Sequence, residues 1–373
     1  VPEAAPDKPF EIFLATVPGL EEVLLGEVRG KGFRRARAVP GGVAIEGGWP
    51  EVWRANLWVR GAGRVLARID QFRVVHFAQL DELAHRVAWA RVLRPDTAFR
   101  VEASCAASRL YHSGAVAERI ATAIRETLGA PESTEAEILV MARLENDLCT
   151  LSVDTSGEAL HKRGYKQAVN PAPLRETLAS LFLMQCGYDG SEPLVDPMCG
   201  AGTFVIEAAE IAARLNPGRA RAFAFEHLAS FDPAAWTQMR GVQSARPPAA
   251  RPFGSDRDAG AIAMSRANAE RAGVAGFTAF HQAPISALSP PEGPPGLVIV
   301  NPPYGTRLGD RQALVPLYAA LGQTLRSRFA GWRVGLVTSE PKLAHATRLP
   351  FLPPGPPVPH GGLRVQLFQT GRL

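Results

Sequence analysis

The chain has 373 residues, of which 46% are hydrophobic and 21% charged, with a formal net charge of +5 and a pI near 9.2. That balance excludes an intrinsically disordered chain and predicts a folded protein of two or three domains. No apolar run reaches membrane-spanning length and nothing resembles a signal peptide; four scattered cysteines without a C-x-x-C spacing predict a reducing, cytoplasmic setting and no zinc or iron–sulfur site. In chain order, residues 1–9 read as a disordered start rich in Pro and Ala. Phe10 to Thr16 alternates as a strand. Gly19 to Gly30 carries Leu20, Val23, Leu24 and Val28 on one helical face. Val39 to Gly42 is a turn before the strand Val43–Glu46. Trp49 to Arg60 reads as a helix and Arg64 to Phe72 as a strand, so the opening region is β-α-β and ferredoxin-like.

Residues 76–155 read as a second small α+β module: helix, strand at 99–103, helix at 114–128, then strands at 137–144 and 147–153. It holds no cluster of nucleophile, base or metal ligands and is read as a binding module. Leu160-His161-Lys162-Arg163-Gly164-Tyr165-Lys166 follows. Lys162, Arg163 and Lys166 with Tyr165 have the composition of an RNA-contacting loop, charge for phosphate and a ring for stacking; an exposed basic turn that contacts nothing is the alternative. The net charge is −1 over residues 1–165 and +6 over 166–373, so the basic excess lies in the second half. Leu174 to Cys186 predicts a helix. Strands are predicted at 194–196, 252–255, 277–281, 297–301, 332–338 and 363–369 with helices between most of them, a doubly wound α/β sheet. Loops rich in Pro and Gly are expected around 246–252, 289–296 and 353–359. The first belongs to a long insertion whose Phe223, Phe225, Phe231 and Trp236 predict packing on the core.

Three motifs sit at carboxyl ends of predicted strands, where open parallel sheets bind ligands. Asp196-Pro197-Met198-Cys199-Gly200-Ala201-Gly202-Thr203 is a strand, a glycine turn and a helix start. Glycines allow close backbone approach, and the helix N-terminus suits a carboxylate as well as a phosphate. The turn is not the full G-x-G-x-x-G and has no Walker lysine, which counts against NAD and ATP. Asp196 can meet the methionine ammonium of S-adenosylmethionine. Asp256, at the end of the second strand, suits a ribose diol, while Asp258 suits either the cofactor or the helix N-terminus. Asn301-Pro302-Pro303-Tyr304 ends the apolar strand from Leu297 to Val300. The Asn301 side-chain oxygen and the Pro302 carbonyl can both accept from an exocyclic amine, the prolines stiffen the turn, and Tyr304 can stack on a flat ring. Together and in this order, the motifs predict S-adenosylmethionine-dependent methylation of a nucleobase amine. Cys199 as nucleophile for C5 methylation is disfavoured by its place in the cofactor turn.

Phe13-Leu-Ala-Thr-Val-Pro-Gly-Leu-Glu-Glu, Leu160-His-Lys-Arg-Gly-Tyr-Lys, Asp196-Pro-Met-Cys-Gly-Ala-Gly-Thr and Asn301-Pro-Pro-Tyr-Gly together resemble the THUMP-domain RNA guanine-N2 methyltransferases, and within them the bacterial 23S ribosomal RNA enzymes, over about residues 10–340. The resemblance implies a ferredoxin-like region (1–60), an α+β THUMP RNA-binding domain (61–165) and a Rossmann-like class I methyltransferase domain (166–373). It implies that Asp196 to Thr203 line the methionine end of the cofactor, Asp256 holds its ribose, Asn301 to Tyr304 hold the target guanine, and Leu160 to Lys166 lie near the RNA path. The family pattern would place an aspartate near Pro284 for the adenine amine. None is present, which leaves Gln282 or a backbone carbonyl for that task. Some relatives carry a second methyltransferase domain, for which a chain ending at Leu373 leaves no room. The expected partner is 23S rRNA, with no metal and no membrane. The alternatives are tRNA guanine-N2 methylation, adenine-N6 methylation, and a non-catalytic RNA-binding or ribosome-assembly factor.

Overall fold

A computed structural model describes residues 9–166, 174–242, 246–304 and 308–373. The expected disordered start, apart from Pro9, and Gly305 of the Asn-Pro-Pro-Tyr-Gly motif lie outside the described residues. The chain divides into two units, one of residues 1–16, 28–160 and 221–242, the other of 17–27, 161–220 and 243–373.

The first unit is built on β1 (Phe10–Ala15), β2 (Arg37–Val39), β3 (Gly42–Gly47), β4 (Arg64–Arg73), β5 (Phe99–Ala106), β6 (Ile138–Glu145) and β7 (Leu148–Asp154). These form one seven-stranded sheet in the order β2-β3-β1-β4-β7-β6-β5. The two small modules expected from the sequence therefore share a sheet. Their seam is β4, whose start pairs with β1 and whose length from Leu66 to Arg73 pairs with β7, with a bulge between Arg68 and Asp70. A buried polar chain closes the seam. Asn56, on the helix Trp49–Trp58, donates to Thr155 Oγ1 (2.9 Å) and accepts from Ser156 Oγ (2.7 Å). Thr155 and Ser156 in turn bond the backbone of Val65. Every partner is satisfied, the condition for a buried polar network to hold a fold rather than weaken it.

The insertion expected to pack on a core does so in this unit, not on the sheet of the second unit. Residues 221–242 bring Phe223, Phe225, Phe231 and Trp236 together, and Trp53 joins them, its ring centroid 6.0 Å from that of Phe225.

The second unit carries β8 (Leu194–Asp196), β9 (Pro252–Asp256), β10 (Ala279–Gln282), β11 (Leu297–Val300), β12 (Arg333–Thr338), β13 (Val358–His360) and β14 (Leu363–Gln369). Their order is β10-β9-β8-β11-β12-β14-β13, parallel from β10 to β12, with β14 antiparallel to β12. Strands β8 and β11 are buried along their whole length, as apolar central strands covered on both faces must be. The helix Leu308–Arg328 places Tyr318, Leu321 and Leu325, at helical spacing, in one buried cluster with Val298, Val300, Val334 and Leu336. The strand order reverses at β8, between β9 and β11, which opens a crevice at their carboxyl ends. Among the described residues, no helix is long and apolar enough to cross a membrane.

Candidate active site

The crevice gathers the three motifs. Asp196 closes β8, and its Oδ1 accepts from the Met198 N–H (3.1 Å), which starts the glycine turn. The turn is tied down on both sides. Cys199 N–H donates to the Ser255 carbonyl (2.9 Å), and Gly200 N–H donates to Asp256 Oδ2 (3.1 Å). From the helix Ala259–Arg271, Ser265 Oγ donates to the Gly200 carbonyl (2.7 Å) and Asn268 Nδ2 to the Ala201 carbonyl (3.0 Å). Gly202 has φ +81°, and a Cβ there would lie 3.1 Å from Ser265 and 3.3 Å from the Phe280 ring, so only glycine fits. The helix Thr203–Ala212 begins directly after it with no side-chain cap. Its first N–H groups form an anion site of the kind a carboxylate fills.

Asp196 is almost fully buried. Burial, opposed by the Met198 N–H and reinforced by the Asp256 charge, pushes its carboxyl up to about 8. A buried acid held this way accepts a cation by giving up its proton. Asp256 uses its second oxygen on the Asp258 N–H (3.0 Å). Each oxygen thus holds one backbone donor and keeps capacity for another. Asp258 is exposed, and its Oδ1 caps the helix at the Gly260 N–H (2.8 Å), the second of its two expected roles. Gln282 is exposed, and its Nε2 donates to the Arg257 carbonyl (3.1 Å). A cavity of about 290 Å³ opens beside these strands, lined by Val195, Phe253, Gly254, Ser255, His281, Ala283 and the segment around Leu288, with no carboxylate in its wall. Cys199 is buried with its thiol 3.7 Å from Ser265 Oγ, and burial raises its pKa, the opposite of an activated nucleophile.

Asn301 follows β11, which pairs with β8 in register Val298 to Val195, so Asn301 and Asp196 lie at the carboxyl ends of neighbouring strands. The Asn301 Oδ1 is buried and has no hydrogen-bond partner among the described residues. Pro302 is buried, Pro303 exposed and Tyr304 half-buried against the core cluster. The turn is propped from below by the buried Tyr318, whose hydroxyl donates to the Pro303 carbonyl (3.2 Å) and lies 3.3 Å from Thr338 Oγ1. Tyr318→Phe removes that prop without emptying the core. It is expected to lower kcat about tenfold through misplacement of the turn, with cofactor affinity unchanged. Turnover and cofactor titrations on the same preparation separate the two quantities.

The basic segment differs from both of its expected forms. Arg163 and Tyr165 are each 3% exposed and turn into the second unit. Arg163 Nε and the Tyr165 hydroxyl both reach Glu207 Oε1 at 3.3 Å, and Ser180 Oγ donates to Glu207 Oε2 (2.5 Å). Lys166 donates to Thr203 Oγ1 (3.0 Å) and the Leu174 carbonyl (2.8 Å) and lies 3.5 Å from Glu176. Lys162 is the exposed member of the four. The segment is thus a brace behind the helix Thr203–Ala212, with Arg163 and Lys166 turned to the carboxylates of Glu207 and Glu176. The signal for this lay in Glu207 and Glu210, two acids inside an otherwise apolar helix that need buried cations. Glu210 finds Arg219 at 2.6 Å. Among the described residues, no group of three or more His, Cys, Asp or Glu could hold a metal ion.

Three regions of the chain match known domain families. Residues 163–350 match the RMKL-like methyltransferase domain, 11–66 the RlmL ferredoxin-like domain and 75–154 the THUMP domain. The chain is 35% identical to the ribosomal RNA large subunit methyltransferase K/L of Chromohalobacter salexigens, over 92% of this chain and 50% of that protein. It therefore spans about half the length of this curated relative. A structure described as a predicted N6-adenine-specific DNA methylase from Listeria monocytogenes superposes with TM-score 0.88 at 29% identity, over 98% of this chain and 97% of the other. A methyltransferase candidate complexed with SAH superposes with TM-score 0.87 at 26% identity, over 98% and 99%.

Proposed function

This chain belongs to the RMKL-like methyltransferase family, and from that membership we propose that it methylates the exocyclic N2 of a guanosine in 23S ribosomal RNA. The cofactor is S-adenosylmethionine, whose sulfonium supplies an activated methyl group. The observation that carries the site assignment is the buried Oδ1 of Asn301, which has no partner among the described residues. A buried acceptor left open in a folded protein calls for a donor from a ligand, and an amine offers one. Asn301 Oδ1 and the Pro302 carbonyl orient the amine and stabilise the positive charge that grows on its nitrogen. Tyr304 stacks on a base extruded from the RNA. Asp196 takes the methionine ammonium, the uncapped start of the helix Thr203–Ala212 takes the carboxylate, and Asp256 takes the ribose hydroxyls. Positioning supplies most of the rate, and the product amine loses its proton to water, so no strong base is needed. The THUMP match and the large-subunit relative support RNA as substrate and a cytoplasmic setting. Domain limits of 1–60, 61–165 and 166–373 go with this reading.

Adenine-N6 methylation is the second reading, since the turn accepts from any exocyclic amine and the Listeria structure is described in those terms. Transfer of labelled methyl into unmodified 23S rRNA, tRNA and duplex DNA sorts the substrates. Label in 23S rRNA is expected; label in tRNA alone would change the substrate, and label in DNA alone would overturn the reading.

The site also predicts a pH dependence. Below about pH 8 the free protein holds Asp196 protonated, and the ammonium binds the carboxylate. Cofactor affinity therefore rises with pH between 6 and 8, by up to about tenfold per unit, and binding at pH 7 releases close to one proton. Calorimetry at pH 7 in buffers of different protonation heat measures that proton. An affinity independent of pH would show that Asp196 does not give up a proton when the cofactor binds.

A further inference from the structure

The loop from β5 to the helix Ser113–Leu128 exposes Tyr111 to 71%, the most exposed large apolar side chain among the described residues. The loop around it is held firmly. Ser108 Oγ donates to the Ala106 carbonyl (2.9 Å) and accepts from the Asp147 N–H (3.0 Å). Arg109 N–H donates to Asp147 Oδ1 (2.8 Å), and Leu110 is buried. Immediately past this anchor the Tyr111 ring stands in solvent, its centroid 4.2 Å from that of His112. A ring carried in water by a hydrogen-bonded backbone leaves little backbone entropy to lose when a partner binds.

The surroundings favour an anionic partner with a flat face. Arg109, two residues before Tyr111 on the same loop, has a side chain 73% exposed with its Nε 3.8 Å from Asp147, and Arg73 reaches the Asn146 carbonyl of the same hairpin tip. The first turn of the helix after His112 carries no acid. None of the other exposed large apolar side chains, Val242, Val315, Leu352 and Leu363, comes from this loop. The patch is one ring wide, the size of a nucleobase and far short of a protein interface.

We infer that the Arg109–Tyr111–His112 loop is a stacking contact for an unpaired nucleotide of the RNA substrate. Tyr111 meets the base face and Arg109 its phosphate, in the manner of sequence-tolerant single-strand binding. The inference rests on the reading that the substrate is RNA.

The test is fluorescence anisotropy of the full chain with labelled single-stranded RNA and with an unmodified 23S rRNA fragment. Tyr111→Ala should weaken both about tenfold, while Tyr111→Phe keeps the ring and stays within about twofold of the unsubstituted chain. Arg109→Ala should also weaken binding and lower the salt slope by about one. Cofactor affinity should be the same in all of them. If Tyr111→Ala binds like the unsubstituted chain, the inference falls and the RNA reading stands. If Tyr111→Phe loses as much as Tyr111→Ala, the hydroxyl and not the ring is the contact, and stacking is refuted. If the unsubstituted chain binds neither RNA, both the inference and the RNA reading fall.

Discussion

Replacing Asn301 by alanine is expected to lower kcat by about 10²–10³-fold, the scale for removing one preorganised group that stabilises transition-state charge. The side chain sits after β11 with its oxygen buried and without a hydrogen-bond partner among the described residues. Its removal relieves an open acceptor and should leave thermal stability unchanged or slightly higher. Cofactor affinity should hold, because the cofactor groups belong to the glycine turn and Asp256. Asn301→Asp keeps an acceptor but adds a charge in a half-buried place, and should recover part of the rate. A variant that turned over normally would show that the amine is held elsewhere.

Glu207→Ala is expected to cost about 3 kcal/mol, the scale for removing one partner of a buried ion pair. In a domain of about 200 residues that lowers Tm by roughly 10 °C. The carboxylate is fully buried and shared by Arg163, Tyr165 and Ser180, so alanine leaves a guanidinium in the interior without it. Glu207 also lies one turn into the helix whose start forms the methionine-carboxylate site, and cofactor affinity should weaken with stability. Changing Arg163 and Glu207 together to methionine and leucine should cost much less than Glu207→Ala alone, because no buried charge is stranded. Thermal unfolding of the single and double variants measures the difference. Equal losses would mean that the segment packs through shape and not through charge.

These two residues mark how far the sequence could be read. The cofactor turn, Asp256 and Asn301 to Tyr304 were legible because each is a local pattern: an apolar strand, a turn residue and a helix or proline stop. Glu207 was not. Its meaning depends on cations more than forty residues away, and a basic run looks the same whether it faces phosphate or a buried acid. The seam at β4 was hidden for the same reason, since the pairing of Leu66 with Asp154 is non-local and each half reads as a complete small module. The short strands Arg37–Val39 and Val358–His360 carry almost no periodicity, and the second lies partly in a stretch whose prolines suggest a loop. Each exists because a longer neighbour, β3 or β14, offers it a ladder. The aromatic insertion announced a core but not which one.

The atom that receives the methyl group is identified by nucleoside analysis of unmodified 23S rRNA after transfer from labelled S-adenosylmethionine. A single labelled product, N2-methylguanosine, is expected, and it should be lost in Asn301→Ala. Label recovered as N6-methyladenosine would contradict that expectation, leaving the fold and cofactor site in place and assigning the Asn301 turn to adenine.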